Sequence, residues 1–292
     1  MSYSVLTTIE DKYLDLSKSH KRIADFVLEN YEKAAFLTAA KLGEETGISV
    51  STVVRFAMAL GYEGYPEFQE DLRETIKGKL TSTQRIEVAG TQIREDALLY
   101  SVLQKDREMI KATMDVVDEA AFEKASKAIN RARRIYIVGV RSSAALASFM
   151  YFYFKMIYED VRLISMNSSS EMFEDIYGIG VEDVCIALSF PRYSRHVLNV
   201  LTYAKEKGAK TIAITDNEDA PIAEVAEYTL VAKSNMVSFI DSLVAPLSLV
   251  NALIVSSARE SKTAVRHKLA DLEEMWEKYD IYENVEEENR AE

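Results

Sequence analysis

One cysteine, four prolines, ten glycines, one tryptophan and three histidines are all that the 292 residues hold of those types. A single cysteine excludes a disulfide framework within the chain, and Cys185, inside the apolar run VCIAL, reads as a buried strand residue rather than a nucleophile. So little proline and glycine argues against long disordered stretches and β-meanders. The longest apolar stretch, residues 144–158, is broken by Lys155 and falls short of the ~20 residues that a membrane span needs. The start, MSYSVLTTIEDKY, has no charged segment leading into an apolar core, so no signal peptide is expected. These absences together point to the cytoplasm. No internal repeat is visible, and no metal or cofactor site is read.

What is abundant is acid and apolar bulk. Asp and Glu number 47 against 35 Lys and Arg, a net charge of −12, while hydrophobic residues make up 48%. The length suits two domains of ~100–200 residues, each able to bury a core. Much of the acid is local: residues 271–292 carry ten acids against Lys278 and Arg290. Residues 1–80 hold ten Lys/Arg against thirteen Asp/Glu, so this half is not basic overall. Any nucleic-acid binding here must rest on local complementarity and on a repeated site.

The stretch 38–62, TAAKLGEETGISVSTVVRFAMALGY, predicts two short helices joined by a tight turn. Thr38 is the expected N-cap of the first, with small residues Ala39, Ala40 and Gly43 keeping it slim. Gly47 supplies a left-handed end, and Ser49 is expected to cap the second helix, which runs to about Leu60. Val53, Phe56, Ala57 and Leu60 recur at spacings of three and four and predict its buried face. Ser49, Ser51, Thr52 and Arg55 fall on the other face. Short hydroxyl residues there let a helix sit deep in a major groove while donating to phosphates, so these four are the candidate DNA-binding residues.

The segments KSHKRIADFVLEN (18–30), ISVSTVVRF (48–56) and LGYEGYPEF (60–68) resemble the amino-terminal domain of the RpiR family of bacterial transcriptional regulators. The resemblance implies a helix-turn-helix domain joined to a sugar isomerase (SIS) domain that binds a phosphosugar.

Residues 1–78 read as helices throughout: 4–15, 19–30, 38–46, 49–60 and 66–77, with Pro66 in a first turn, where its missing N–H costs nothing. Periodicity breaks over 78–92, GKLTSTQRIEVAGTQ, which reads as a linker. Helices are expected over 94–117 and 118–130. From Arg133, five apolar runs alternate with helical stretches: RIYIVG, VRLIS, DVCIALS, KTIAIT and EYTLVA. That alternation predicts an open parallel sheet covered on both faces, with a last helix over 239–260. The expected organisation is therefore an all-helical helix-turn-helix domain at 1–78, a linker at 79–93, a five-stranded parallel-sheet α/β domain with leading helices at 94–262, and an acidic tail at 263–292.

In such sheets, ligands bind beyond the carboxyl ends of the strands. The loop after the first strand is Gly139-Val140-Arg141-Ser142-Ser143, and that after the third is Ser189-Phe190-Pro191-Arg192-Tyr193-Ser194. Each puts hydroxyls at the start of a helix, where unpaired N–H groups and the dipole favour an anion. Arg141, Ser142, Ser143, Ser189, Arg192 and Ser194 are the candidate effector-binding residues. This half, about residues 120–262, resembles a SIS domain, whose usual motifs are Gly-x-Gly-x-Ser and Ser-x-Ser-Gly-x-Thr/Ser. Arg141 stands in place of the second Gly of the first motif; Pro191 and Arg192 replace Ser and Gly of the second. The resemblance implies a phosphosugar or sugar-acid effector, with the arginines on phosphate or carboxylate.

A phosphosugar isomerase needs a base and a ring-opening acid. Glu171 and His196 are the conceivable pair, and an aldose–ketose isomerase with a helical oligomerisation domain is the alternative reading. A solvated Glu and a surface His are the plainer account, and an isomerase leaves residues 1–80 unused. The preferred reading is a non-enzymatic regulator acting as a homodimer or tetramer on operator DNA, with helices 144–158 and 239–260 as contact surfaces.

Overall fold

The computed structural model describes residues 5–77, 81, 83, 85–86, 97–164, 169–236 and 240–282. The chain forms two compact units. The first runs to Arg107 and takes in Pro191–Tyr193 and Asn235–Ser242; the second holds Glu108–Phe190, Ser194–Ser234 and Leu243–Glu292.

The first unit is helical: α1 (Val5–Lys12), α2 (Lys18–Glu29), α3 (Tyr31–Ala34), α4 (Ala39–Thr46), α5 (Val50–Leu60) and α6 (Tyr65–Lys77). The single turn α3 was not expected, because four residues carry no periodic signal. Ser17 and Thr38 cap α2 and α4, accepting from the N–H groups of His20 and Lys41 at 3.3 Å. Gly47 ends α4 with φ +64°, a conformation cheap only for glycine. The Lys12 ammonium donates to the Leu60 carbonyl at 2.8 Å and so closes the end of α5. Val53, Phe56, Ala57 and Leu60 are buried, as the three–four spacing requires. Phe56 meets Phe68 of α6 edge to face at 5.7 Å, inside a core that includes Ile23, Leu42 and Leu72.

Gly43 sets how closely α4 and α5 approach. A Cβ there would lie 2.6 Å from the Ile48 carbonyl oxygen. The Ile48 N–H meanwhile donates to the Gly43 carbonyl at 2.8 Å. A methyl group would have to push the turn out or break that bond.

Part of the stretch read as an aperiodic linker is ordered differently. Thr83, Arg85 and Ile86 lie in helical conformation. Arg85 is 3% exposed and pairs with Asp241 at 2.8 Å. Residues 79, 80, 82, 84 and 87–93 lie outside the described residues.

The helix α7 (Leu98–Val116) corresponds to the one expected from 94, whose first residues, 94–96, are not described. The second unit continues with α8 (Glu119–Arg131), β1 (Ile135–Gly139), α9 (Ser143–Ile157), β2 (Val161–Leu163), α10 (Ser169–Ile176), β3 (Val184–Leu188), α11 (Arg195–Glu206), β4 (Lys210–Thr215), α12 (Pro221–Val225), β5 (Tyr228–Val231), α13 (Val244–Glu260) and α14 (Lys262–Lys278). All five strands are parallel, in the order β2-β1-β3-β4-β5. Alternate residues serve opposite faces. Ile135 and Ile137 join Leu146, Met150 and Leu253 on one side, while Tyr136 and Val138 join Met172, Val197 and Leu201 on the other. Sheltered on both faces, β1 and β3 are wholly buried, which explains their unbroken apolar runs. Cys185 lies there on β3, with burial pushing its thiol up to about 12, so it stays protonated and unreactive.

Two expectations need correction. The last core helix starts at Val244, not Phe239: before it the Ser242 N–H donates to the Asn235 carbonyl at 2.9 Å and Met236 bridges Asp241, while Phe239 itself lies outside the described residues. The acidic tail begins as α14, and Lys268 donates to the carbonyls of Lys155 (2.6 Å) and Tyr158 (3.3 Å) at the end of α9. A lysine there satisfies carbonyls that the helix leaves open and complements its negative end.

Replacing Gly43 by alanine should lower stability by about 1–3 kcal/mol through this forced contact. The check is urea denaturation followed by circular dichroism: the midpoint should fall with the slope unchanged. An unchanged midpoint would mean that the turn gives way freely.

Candidate functional site

The exposed face of α5 is a small polar cluster. The Ser49 hydroxyl lies 3.1 Å from that of Ser51 and 2.9 Å from that of Thr52. It does not cap the helix. Arg55 curls back over the same group, donating from Nε to the Ser51 carbonyl at 3.3 Å and from its terminal nitrogen to Thr52 Oγ1 at 3.2 Å. All four candidate residues are therefore brought together on one helix face. Ser49, Ser51 and Arg55 are exposed, and Thr52 is half-buried. The bonds that hold Arg55 are exposed and weak, about 0.5–1.5 kcal/mol each, so the guanidinium can be redirected at small cost.

One neighbour was passed over in the sequence. His20, the third residue of α2, sits edge-on to Phe56 with ring centroids 5.8 Å apart. Partial burial, and then the charge of Arg55, depress its basicity. Nothing in the linear sequence joins residue 20 to residue 55; the packing of α2 on α5 does.

In the second unit, the two serine loops start side by side. β1 has β2 on one flank and β3 on the other, so the chain direction of winding switches between β1 and β3. Gly139 is the register partner of Leu188. The next residue, Ser189, donates its N–H to the Ile214 carbonyl at 3.2 Å and is 3% exposed. Ser189 Oγ in turn accepts from the Ser194 N–H at 3.3 Å, tying the two ends of that loop together. Ser143 is 5% exposed, while Arg141 and Ser142 face solvent.

The local backbone explains the residue choices. A Cβ on Gly139 would lie 2.7 Å from the Ser143 carbonyl oxygen, so this turn demands glycine. Arg141 has φ +54°, the left-handed region. A glycine would sit there at no cost, whereas a side chain costs ~1–2 kcal/mol. The strain persists at the position where the motif usually has glycine, and it projects a cation from the turn.

Neither Ser142 nor Ser194 caps its helix with its hydroxyl. The first loop departs from expectation in its N–H groups. Those of Ser143, Ala144 and Ala145 each donate three residues back, to Val140, Arg141 and Ser142, at 3.1–3.2 Å. The dipole and the hydroxyls are in place, but these three amides are already engaged. Arg192 is exposed and falls among the three residues grouped with the first unit, so the arrangement above is built from second-unit residues alone. Glu171 lies in the first turn of α10 and His196 in the first turn of α11. Among the described residues, no group of three or more His, Cys, Asp and Glu is placed to hold a metal ion. None of the described helices is long and apolar enough to cross a membrane.

A helix-turn-helix with a hydroxyl-rich second helix, together with a parallel α/β sheet whose switch point carries serine loops, defines a DNA-binding transcriptional regulator with a ligand-sensing domain. Residues 3–79 match the model of the rpiR-family helix-turn-helix domain, and residues 128–256 that of the SIS domain. The chain belongs to the RpiR family. It is 27% identical over 234 residues to an uncharacterised HTH-type transcriptional regulator of Haemophilus influenzae, covering 79% of this chain and 80% of the relative. It is 26% identical over 229 residues to the uncharacterised HTH-type regulator YfhH of Escherichia coli, covering 77% and 80%. Among solved structures, the sugar isomerase domain of an RpiR transcription factor from Sphaerobacter thermophilus superposes with a TM-score of 0.58 at 27% identity, covering 61% of this chain and 98% of that one. The Vibrio vulnificus NanR protein, solved with ManNAc-6P, shares the fold with a TM-score of 0.56 at 19% identity, covering 96% and 100%.

Substituting Arg141 by glycine should relieve the left-handed strain and raise stability by up to about 1 kcal/mol, less the entropy that glycine adds to the unfolded chain. Thermal unfolding of the two proteins measures it; a drop in stability would show that the arginine side chain makes contacts outweighing the strain.

Proposed function

We propose that the chain is a cytoplasmic, sequence-specific regulator of sugar-metabolism genes, and that α5 reads operator DNA under the control of an anionic sugar effector held by the serine loops. The observation that carries this reading is the pairing of two sites on one chain: the hydroxyl–arginine cluster of α5, and adjacent strand ends at the sheet's switch point.

Ser49, Ser51 and Thr52 donate to phosphates, and Arg55 reaches a base edge or a phosphate. One arginine on one helix neutralises little charge. Specific binding therefore needs two copies on a pseudo-palindromic operator, which makes the working state a homodimer or tetramer. Exposed Phe152 on α9 and Val255 on α13 supply apolar surface for that association.

Ser143, Ser189 and Ser194 offer hydroxyls to a phosphate or carboxylate, Ser142 flanks them, and Arg141 supplies charge. Arg192 enters as a further cation on its place in the loop sequence. A phosphorylated sugar is also the ligand in the NanR structure. Glu171 and His196 take no catalytic part, and the chain is not an enzyme.

Electrophoretic shift of DNA from upstream of its own coding sequence tests the first half. Arg55→Ala should weaken binding by about 1–3 kcal/mol while the protein stays folded. Unchanged affinity would remove α5 from the recognition role.

Calorimetry with phosphosugars and sugar acids tests the second half. Ser143→Ala and Ser189→Ala should each cost about 1.5–3 kcal/mol of effector affinity, as expected for a lost bond to a charged group, with effector-free DNA binding retained. A double variant that still binds and responds like the parent would place the effector elsewhere. Turnover of a phosphosugar by the parent would restore the isomerase reading.

A further inference from the structure

The DNA-facing cluster has few cations for its task. Residues 1–80 carry fewer Lys and Arg than Asp and Glu, and Arg55 is the one charged residue on α5. His20, on the helix packed against α5, lies within reach of that residue's charge. Its ring edge meets Phe56, the residue after Arg55, and its backbone is held by the bond from its N–H to Ser17 Oγ. The residue is half-buried.

We propose that His20 completes the DNA-contacting face by sharing a backbone phosphate with Arg55, taking up a proton as the phosphate arrives. The proposal rests on α5 being the DNA-reading helix.

Two neighbouring groups of like charge repel unless an anion lies between them. In the free protein, burial and the Arg55 charge both disfavour the imidazolium, and the positive end of α2 acts in the same sense. Lys18 and Lys21 flank His20 on its own helix. Of the charged groups on the elements packed against α2, Arg55 of α5 lowers the basicity of the ring; Glu10 and Asp11 of α1, Glu32 of α3, and Glu44 and Glu45 of α4 are the carboxylates on the others. Glu45 of α4 is engaged by Lys33 at 2.7 Å. The imidazole is therefore neutral near neutral pH.

A phosphate placed against both groups reverses the balance. It offers an acceptor to the imidazole N–H and cancels the repulsion, so the bound state holds the proton more tightly than the free state. The sign follows from linkage. If the complex binds one more proton than its separate partners, affinity rises as pH falls between the bound and free pKa values. The limit is about tenfold per pH unit for one proton.

The test is fluorescence anisotropy of the full chain on the duplex from upstream of its own coding sequence, at fixed ionic strength, from about pH 8 to about pH 5.5. The parent should gain affinity toward low pH, approaching tenfold per unit. His20→Gln should bind with the weak affinity of the parent at high pH and show a flattened profile. His20→Arg should bind tightly with little pH dependence, which also shows that the position tolerates change. A slope retained in full by His20→Gln would overturn the proposal. So would a flat profile in a parent that binds the duplex, and that result would leave the DNA-reading role of α5 standing. Loss of duplex binding by the parent at every pH would overturn that reading as well.

Discussion

Parallel strands cannot be joined by a hairpin, and the chemistry of the second unit follows from that constraint. Each strand must hand the chain to a helix before the next strand begins, so each carboxyl end opens into a helix start. With β1 between β2 and β3, the chain winds away from β1 in two directions, and the loops after β1 and β3 begin side by side. Gly139 and Leu188 lie far apart in sequence yet are register partners at the carboxyl ends of β1 and β3. The apolar runs that make the sheet and the serines that edge it are thus two consequences of one topology.

The helical unit obeys a different constraint, the closeness of two helices. Glycine at 43 lets the Ile48 carbonyl lie where a side chain would stand. That approach packs α5 over α4, buries Phe56, and leaves the opposite face of α5 to short hydroxyl groups and one arginine. A first unit that is acidic overall can present such a face because charge acts locally: beyond about 10 Å, salt screens the carboxylates. It also makes each cation on that face count for more, which is why a conditional charge at His20 would matter.

One departure from the family pattern falls where the backbone is strained. Arg141 holds a left-handed turn that glycine would hold freely, and from it presents an exposed guanidinium. The amides of the first loop are spent on bonds to the preceding turn, so an anion there would depend on hydroxyls and on that arginine more than on the helix end alone.

The sequence by itself determined the sorting into helix and strand, because periodicities of 3.6 and 2 are local properties of the chain. Val53, Phe56 and Leu60 declared the inner face of α5, and VCIAL declared a strand buried on both sides. It also carried the residues of both candidate sites, since hydroxyls and glycines at element boundaries are local signals too. It did not show α3, one turn being too short for a period, nor where the last core helix starts. The helix α14, whose Lys268 closes the end of α9, was hidden within a stretch read only by the acid content of its far end. Only the tertiary structure decided which distant residues meet: Arg85 with Asp241, Gly139 with Leu188, His20 with Phe56. Those pairings depend on how elements pack, and packing is set by the sum of many contacts far apart in the chain, so no local pattern can encode it.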